Sequence, residues 1–259
     1  MGSSTQMSAK DRILSLLDEN SFVEIGALVT KRSTDFNLDK ADAPSDGVIT
    51  GYGLIDGSLV YVYSQDAKVL HGTIGEMHAR KIVRLYDLAL KTGAPVIGLV
   101  DCAGIRLQEA TDALAGFGEV YFKQTMASGV VPQITAVFGT CGGGSAVSAA
   151  LSDFTFMPKS NAKLFVNSPN ALEGNYTAKC DTATAEYQAA AGVVDVVKED
   201  EAEVLAGIRT LVSILPANNA AEAVVDCMDD LNRAVSFDLL VQILHRHWPT
   251  FPMRTSSLK

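Results

Sequence analysis

The sequence predicts an α/β domain, a hairpin of strands followed by parallel strands with helices between them. Three observations carry that expectation. Two β-rich runs, residues 47–53 and 58–64, flank Asp56-Gly57, a dipeptide suited to the positive φ angles of a two-residue hairpin turn. Two apolar runs, residues 95–100 and 134–139, show no polar alternation, as strands covered on both faces do. Apolar residues recur at helical spacing between them, as at Ile82, Leu85, Leu88 and Ala89.

In chain order, residues 11–17 form a short amphipathic helix with Ile13, Leu14 and Leu17 on one face, and residues 21–25 are extended. Residues 31–46 are polar, close on Pro44-Ser45-Asp46-Gly47, and read as a surface loop. After the hairpin comes a helix over 76–91, stopped by Gly93. The strand at 95–100 ends at Asp101, and a helix follows over 113–127. The strand at 134–139 leads into a glycine cluster and a helix at 145–151. Short strands at 153–157, 163–167 and 193–197 and helices at 181–191, 199–215 and 237–247 complete the chain. This order gives a single domain of repeated ββα-like turns over 11–259, behind an N-terminal tail at 1–10.

A chain of 259 residues can bury a core without disulfide or metal staples. With 47% apolar and 20% charged residues it is not a disordered chain. The net charge is −9 and no Lys/Arg cluster interrupts it, which excludes nucleic acid as a partner. Cys102, Cys141, Cys180 and Cys227 form no CxxC pair and have no histidine at metal-ligand spacing, so they read as cytoplasmic thiols and no metal is expected. The opening residues lack the basic start and apolar stretch of a signal peptide. Residues 124–152 carry no charge, but Pro132 and five glycines there fit strand, turn and buried helix rather than a membrane span.

Three loops hold candidate chemistry. Gly142, Gly143 and Gly144 follow a buried strand and open a helix, where main-chain N–H groups can hold a phosphate or a developing oxyanion. No Lys-Ser/Thr follows them, so this is not a phosphate-binding P-loop. Residues 101–110 follow the other buried strand, with Ala103 and Gly104 at the turn and Arg106, Gln108 and Glu109 on its exit. Gly72 and Gly75 bracket the start of the first long helix, with Glu76 in its first turn. Each loop also admits a plain reading as a tight turn.

These segments, in this order, resemble the N-terminal domain of biotin-dependent acyl-CoA carboxyltransferases of the propionyl-CoA and methylmalonyl-CoA type. The resemblance covers Gly51-Tyr52-Gly53, Ile55-Asp56-Gly57, Ser64-Gln65-Asp66, Gly72 with Gly75-Glu76, His78, Lys81-Ile82-Val83, residues 87–99, Arg106 with Gln108-Glu109, Phe117-Gly118-Glu119, residues 127–130, Pro132-Gln133-Ile134 and the glycine cluster. It implies a crotonase-like ββα spiral. It also implies that the chain binds acyl-CoA and stabilises an enolate while a carboxyl group moves to or from biotin. By resemblance, Gly143 and Gly144 are the catalytic amides, Gly72, Gly75, Ala103, Gly104, Arg106, Gln108 and Gly142 serve substrate binding, and Arg106 and Gln108 anchor their loop. His71 and His78 read as structural or surface residues.

The resemblance further implies partners in a hetero-oligomer: a biotin carboxyl carrier protein and a homologous subunit of the family's C-domain type. The chain departs from the family pattern at Cys102-Ala103-Gly104-Ile105, where Ser-Gly-Gly-Ala is usual, and at Gly142 and Ser145, which are alanines in the family's Cys-Ala-Gly-Gly-Ala. The alternatives are a malonate decarboxylase subunit acting on malonyl-carrier protein, an enoyl-CoA hydratase, and a non-catalytic assembly subunit. A Clp-like serine peptidase built on Ser145 is disfavoured, because the next histidine is His245.

Overall fold

The computed structural model describes residues 6–33, 35–171 and 181–221. The helix expected at 237–247, Cys180 and Cys227 lie outside the described residues.

Helix α1, Ala9–Leu16, is capped by Ser8, whose side chain accepts from the Asp11 N–H, and it buries Ile13 and Leu16. Helix α1 starts before residue 11, and the Met7 N–H donates to Glu201, so the end of the expected tail is docked on the domain. Strand β1, Val23–Ile25, runs antiparallel to β2, Val48–Ile55, which pairs antiparallel with β3, Ser58–Gln65. The hairpin closes at the Ile55–Ser58 pair, and Asp56 and Gly57 both have positive φ, 49° and 79°. That is the backbone the Asp-Gly dipeptide favours.

Helix α2, Glu76–Thr92, ends where Gly93 enters the left-handed region at φ 66°. Strand β4, Val96–Cys102, then lies parallel to β3. Helix α3, Ala110–Ala127, leads to β5, Gln133–Gly142, parallel to β4, and helix α4, Gly144–Ala150, follows at once. The remaining elements are β6, Phe154–Pro158, β7, Lys163–Phe165, α5, Ala185–Ala190, β8, Val196–Lys198, and α6, Glu201–Ile214. The sheet order is β1-β2-β3-β4-β5-β6-β8, with β7 also paired to β5. Strand β5 is long enough to serve two neighbours, β6 along Ile134–Ala136 and β7 along Thr140–Gly142.

Both faces of the sheet are covered, which is why β4 and β5 read as unbroken apolar runs. On one face Val96, Val100, Val137 and Cys141 pack with Ile82, Leu85 and Tyr86 of α2 and Phe117 and Val120 of α3. On the other, Ile97, Leu99, Ile134 and Phe138 pack with Ile13 and Leu16 of α1 and Val204, Ile208 and Leu211 of α6. The α/β class expected from the sequence is the one observed. No helix among the described residues is long and apolar enough to cross a membrane.

Two local expectations change. The 31–46 segment is not wholly a surface loop: Asp46 is 0% exposed, because its carboxylate is spent inside the fold on Arg106. Strand β5 runs on through the glycine cluster to Gly142, because β7 offers it a second partner at that height.

A buried ion pair ties α1 to α6. Arg12 of α1 is 1% exposed, donates to both Glu201 carboxylate oxygens at 3.1 Å, and lies 3.5 Å from Asp101 and 4.8 Å above the Phe138 ring. Replacing it by alanine leaves two buried carboxylates without their cation, an error that costs about 3–5 kcal/mol. Arg12→Ala is therefore expected to lower the free energy of urea unfolding by that amount, whereas Lys10→Ala on the exposed side of the same helix changes it little.

Candidate active site

The three candidate loops meet at the carboxyl ends of β4 and β5, the end of an α/β sheet where ligands bind. The first loop, between β3 and α2, is held to the second by backbone bonds. The Ala103 N–H donates to His71 O at 3.1 Å, the Ile74 N–H to Gly104 O at 2.9 Å, and the Arg106 N–H to Ile74 O at 2.9 Å. Gly72, at φ 62°, passes so close to the Asp101 carbonyl that a Cβ there would collide with it. Leu70 and His71 before it are also left-handed, at φ 48° and 55°, so the loop is strained as well as tied.

Arg106 fixes this junction from inside. It is 1% exposed and donates to Asp46 Oδ1 at 2.6 Å, Glu109 Oε1 at 2.8 Å and Thr73 O at 2.8 Å. Glu109 also accepts the Glu76 N–H at 2.6 Å, and Asp46 accepts the His78 N–H at 2.7 Å. Burial pushes the Asp46 carboxyl up, while the Arg106 guanidinium and the His78 N–H pull it back. A side chain at Gly75 would occupy the space of the Arg106 guanidinium and the Glu109 carboxylate. Arg106 thus anchors its loop, with its charge facing inward and taken up by two carboxylates. Gln108 is exposed on the turn Leu107–Glu109.

His78 is 0% exposed, with Nδ1 2.9 Å from Asp46 O and Nε2 3.1 Å from the Gln65 amide nitrogen. Nδ1 donates and Nε2 accepts in the neutral ring. Burial first, and the Arg106 charge second, bring its pKa down to about 3. The ring is a neutral brace, whereas His71 is exposed.

Counting main-chain N–H groups decides which of them can meet a ligand. Gly143 has φ 59° and ψ −126°, and its N–H donates to Phe165 O of β7 at 3.0 Å. That bond occupies the Gly143 N–H within the fold. The Gly144 N–H has no partner among the described residues. Tyr121 of α3 holds this residue from behind, donating its hydroxyl to Gly144 O at 2.7 Å. Gly142 and Gly104 face each other across the two loops: a Cβ on Gly104 would lie 3.2 Å from Gly142 O, and one on Gly142 3.1 Å from Ala103 O. Ala103 is exposed beside them. Ser145 is 3% exposed and donates its hydroxyl to Cys102 Sγ at 3.0 Å, so it is not set against a base as a nucleophile is. Burial pushes both the Cys102 and Cys141 thiols up, so they stay protonated at neutral pH.

Residues 3–242 match the carboxyl transferase domain family. The chain belongs to that family. Methylmalonyl-CoA decarboxylase subunit alpha of Propionigenium modestum is 43% identical over 237 residues, covering 88% of this chain and 45% of that protein. The biotin-dependent acetyl-/propionyl-coenzyme A carboxylase beta5 subunit of Mycobacterium tuberculosis is 39% identical over 225 residues, 84% of this chain and 40% of that protein. Among solved structures, transcarboxylase 12S with methylmalonyl-coenzyme A and methylmalonic acid bound is similar, with a TM-score of 0.80 and 38% identity over 84% of this chain and 43% of that one. The chain thus spans under half the length of these relatives. The crotonase-like fold that the sequence resemblance implied is the fold of these carboxyltransferases.

Sequence reasoning placed the carboxyl transferase loops at the right strand ends and missed the groups that lock them. Asp46 sits 60 residues from Arg106, and nothing in its polar turn marks it as buried. Glu109, three residues after Arg106, carried a usable signal in its spacing. Phe165 acts through its carbonyl, so its side chain carried none.

The His78 brace makes a pH prediction. The unfolded ring binds a proton near pH 6.5 and the folded one only near pH 3, so stability falls as pH drops through that window. Urea unfolding of His78→Gln is expected to lose about 1.4 kcal/mol per pH unit of that slope.

Proposed function

We propose that this chain is the acyl-CoA-binding, N-domain-type part of a biotin-dependent carboxyltransferase or decarboxylase. The observation that carries the reading is the Gly144 N–H, without a partner among the described residues at the junction of two side-chain-poor loops in a carboxyl transferase domain. Support for a CoA thioester as substrate comes from the methylmalonyl-coenzyme A in the similar transcarboxylase, and for biotin from the name of the mycobacterial relative.

Removing or adding a carboxyl group at the α-carbon of a thioester puts negative charge on the thioester oxygen. A fixed N–H aimed at that oxygen is worth about 10²–10³ in rate, because it does not have to reorganise as the charge forms. In this reading Gly144 supplies the N–H, and Gly143 sets its direction by turning the chain through a backbone conformation reserved to glycine. Gly104 and Gly142 leave the wall free of side chains, and Gly72 and Ala103 form the adjoining edge of the acyl-CoA site. The donor is main chain, so Ser145 is compatible with the chemistry. Biotin, brought by a carboxyl carrier protein, supplies the carboxyl-carrying chemistry and the proton acceptor. The site residues meet that requirement from their side, since among them His78 is neutral and buried, Arg106 is fully paired and Ser145 faces a thiol.

A second half of the C-domain type completes the proposed assembly. The surface of α3 supports it: Leu114, Phe122 and Met126 are 63%, 60% and 54% exposed, and with Gly118 they form a stripe at four-residue spacing. The cytoplasm is the proposed compartment.

Calorimetry with the purified chain is expected to show binding of methylmalonyl-CoA or propionyl-CoA, with no carboxyl transfer to free biotin until a second half is added. Gly143→Ala puts a Cβ into open space but into a strained backbone, so it is expected to leave the fold intact and to lower kcat of the assembled enzyme by turning the Gly144 N–H away, by at most the ~10²–10³ that loss of the donor itself would cost. Absence of CoA-thioester binding, or turnover of malonyl-carrier protein instead, would overturn the reading.

A further inference from the structure

Two of the departures from the family pattern, Cys102 and Ser145, are 43 residues apart and touch. The Ser145 hydroxyl donates to Cys102 Sγ at 3.0 Å. The same sulfur accepts the Gly104 N–H at 3.3 Å, and its S–H donates to Gly104 O at 3.4 Å. Cys102 is 0% exposed and Ser145 3%, so these bonds lie inside the fold. Cys102 ends β4 and Ser145 lies in the first turn of α4, directly after β5. Around them the loops meet through Gly104 and Gly142, which have no side chains to interlock. One sulfur therefore engages the backbone of the loop after β4 and a hydroxyl at the turn after β5.

We propose that Cys102 and Ser145 form a positioning clamp that sets the spacing of the two glycine loops, and so the place of the Gly144 N–H. The inference rests on the reading that these loops form the CoA-thioester site. Neither residue touches the reacting atoms. Sulfur is a weak acceptor, so the clamp works by alignment in a buried, neutral setting rather than by bond strength. The pair adds no charge next to an oxygen that must become negative.

The test uses the full chain with two ligands: propionyl-CoA, and an anionic nitronate analogue of it whose oxygens carry the charge an enolate would. Ser145→Ala, Cys102→Ala and the double variant are expected to bind propionyl-CoA as the unaltered chain does and the analogue about tenfold more weakly. The double variant is expected to lose no more than either single one, as for two halves of one contact. Cys102→Ser, which restores a partner for the Ser145 hydroxyl, is expected to recover most of the loss. Equal binding of the analogue by all variants would overturn the clamp. So would loss of both ligands in step with a lowered Tm, which marks packing alone.

Amide hydrogen exchange keeps the two readings apart. Ser145→Ala is expected to speed exchange in residues 103–106 and 142–145 together, with or without any ligand. Unchanged exchange in the first of these segments overturns the clamp. Failure of the unaltered chain to bind either CoA compound overturns the functional reading and leaves the exchange result to decide the clamp.

Discussion

The Arg106 guanidinium, buried between the carboxylates of Asp46 and Glu109, is the contact on which the site depends. Taking three charged groups out of water is costly, and their attraction repays it only when the remaining lone pairs and N–H groups are satisfied. Here they are. Asp46 takes the His78 N–H, Glu109 takes the Glu76 N–H, and Thr73 O takes the other arm of the guanidinium. The cluster joins the turn before β2, the start of α2 and the exit of β4, three segments far apart in sequence. It also holds the 44–47 turn in a costly shape, since Ser45 and Asp46 are both left-handed. Lys81 supports the same turn, donating to Ser45 O and Val48 O.

With the first loop pinned below, the second is placed from three sides. Phe165 O of β7 accepts the Gly143 N–H, the Tyr121 hydroxyl donates to Gly144 O, and Cys102 Sγ accepts the Ser145 hydroxyl. What is left over is the Gly144 N–H at the start of α4, without a partner among the described residues. The N–H groups of a helix's first turn have no intrahelical partner, which leaves this one open to a ligand. In the proposed function the donor is main chain, which no side-chain substitution removes directly, so that reading accommodates the differences at positions 142 and 145.

The sequence by itself determined the element types and the family. The unbroken apolar run of β4, the Asp56-Gly57 turn and the Gly93 stop are local signals, because strand coverage, hairpin twist and helix capping are decided within a few residues. The ordered glycine and arginine motifs marked the carboxyl transferase loops for the same reason: tight turns demand particular residues in place. Only the tertiary structure decided what those residues do. Arg106 turned inward because a carboxylate 60 residues earlier waits for it, and Gly143 lost its free N–H to a strand that begins twenty residues later. Ser145 found a thiol rather than a base. Hydrogen bonds between distant segments leave no periodicity behind, so which main-chain donor stays free is settled by packing alone.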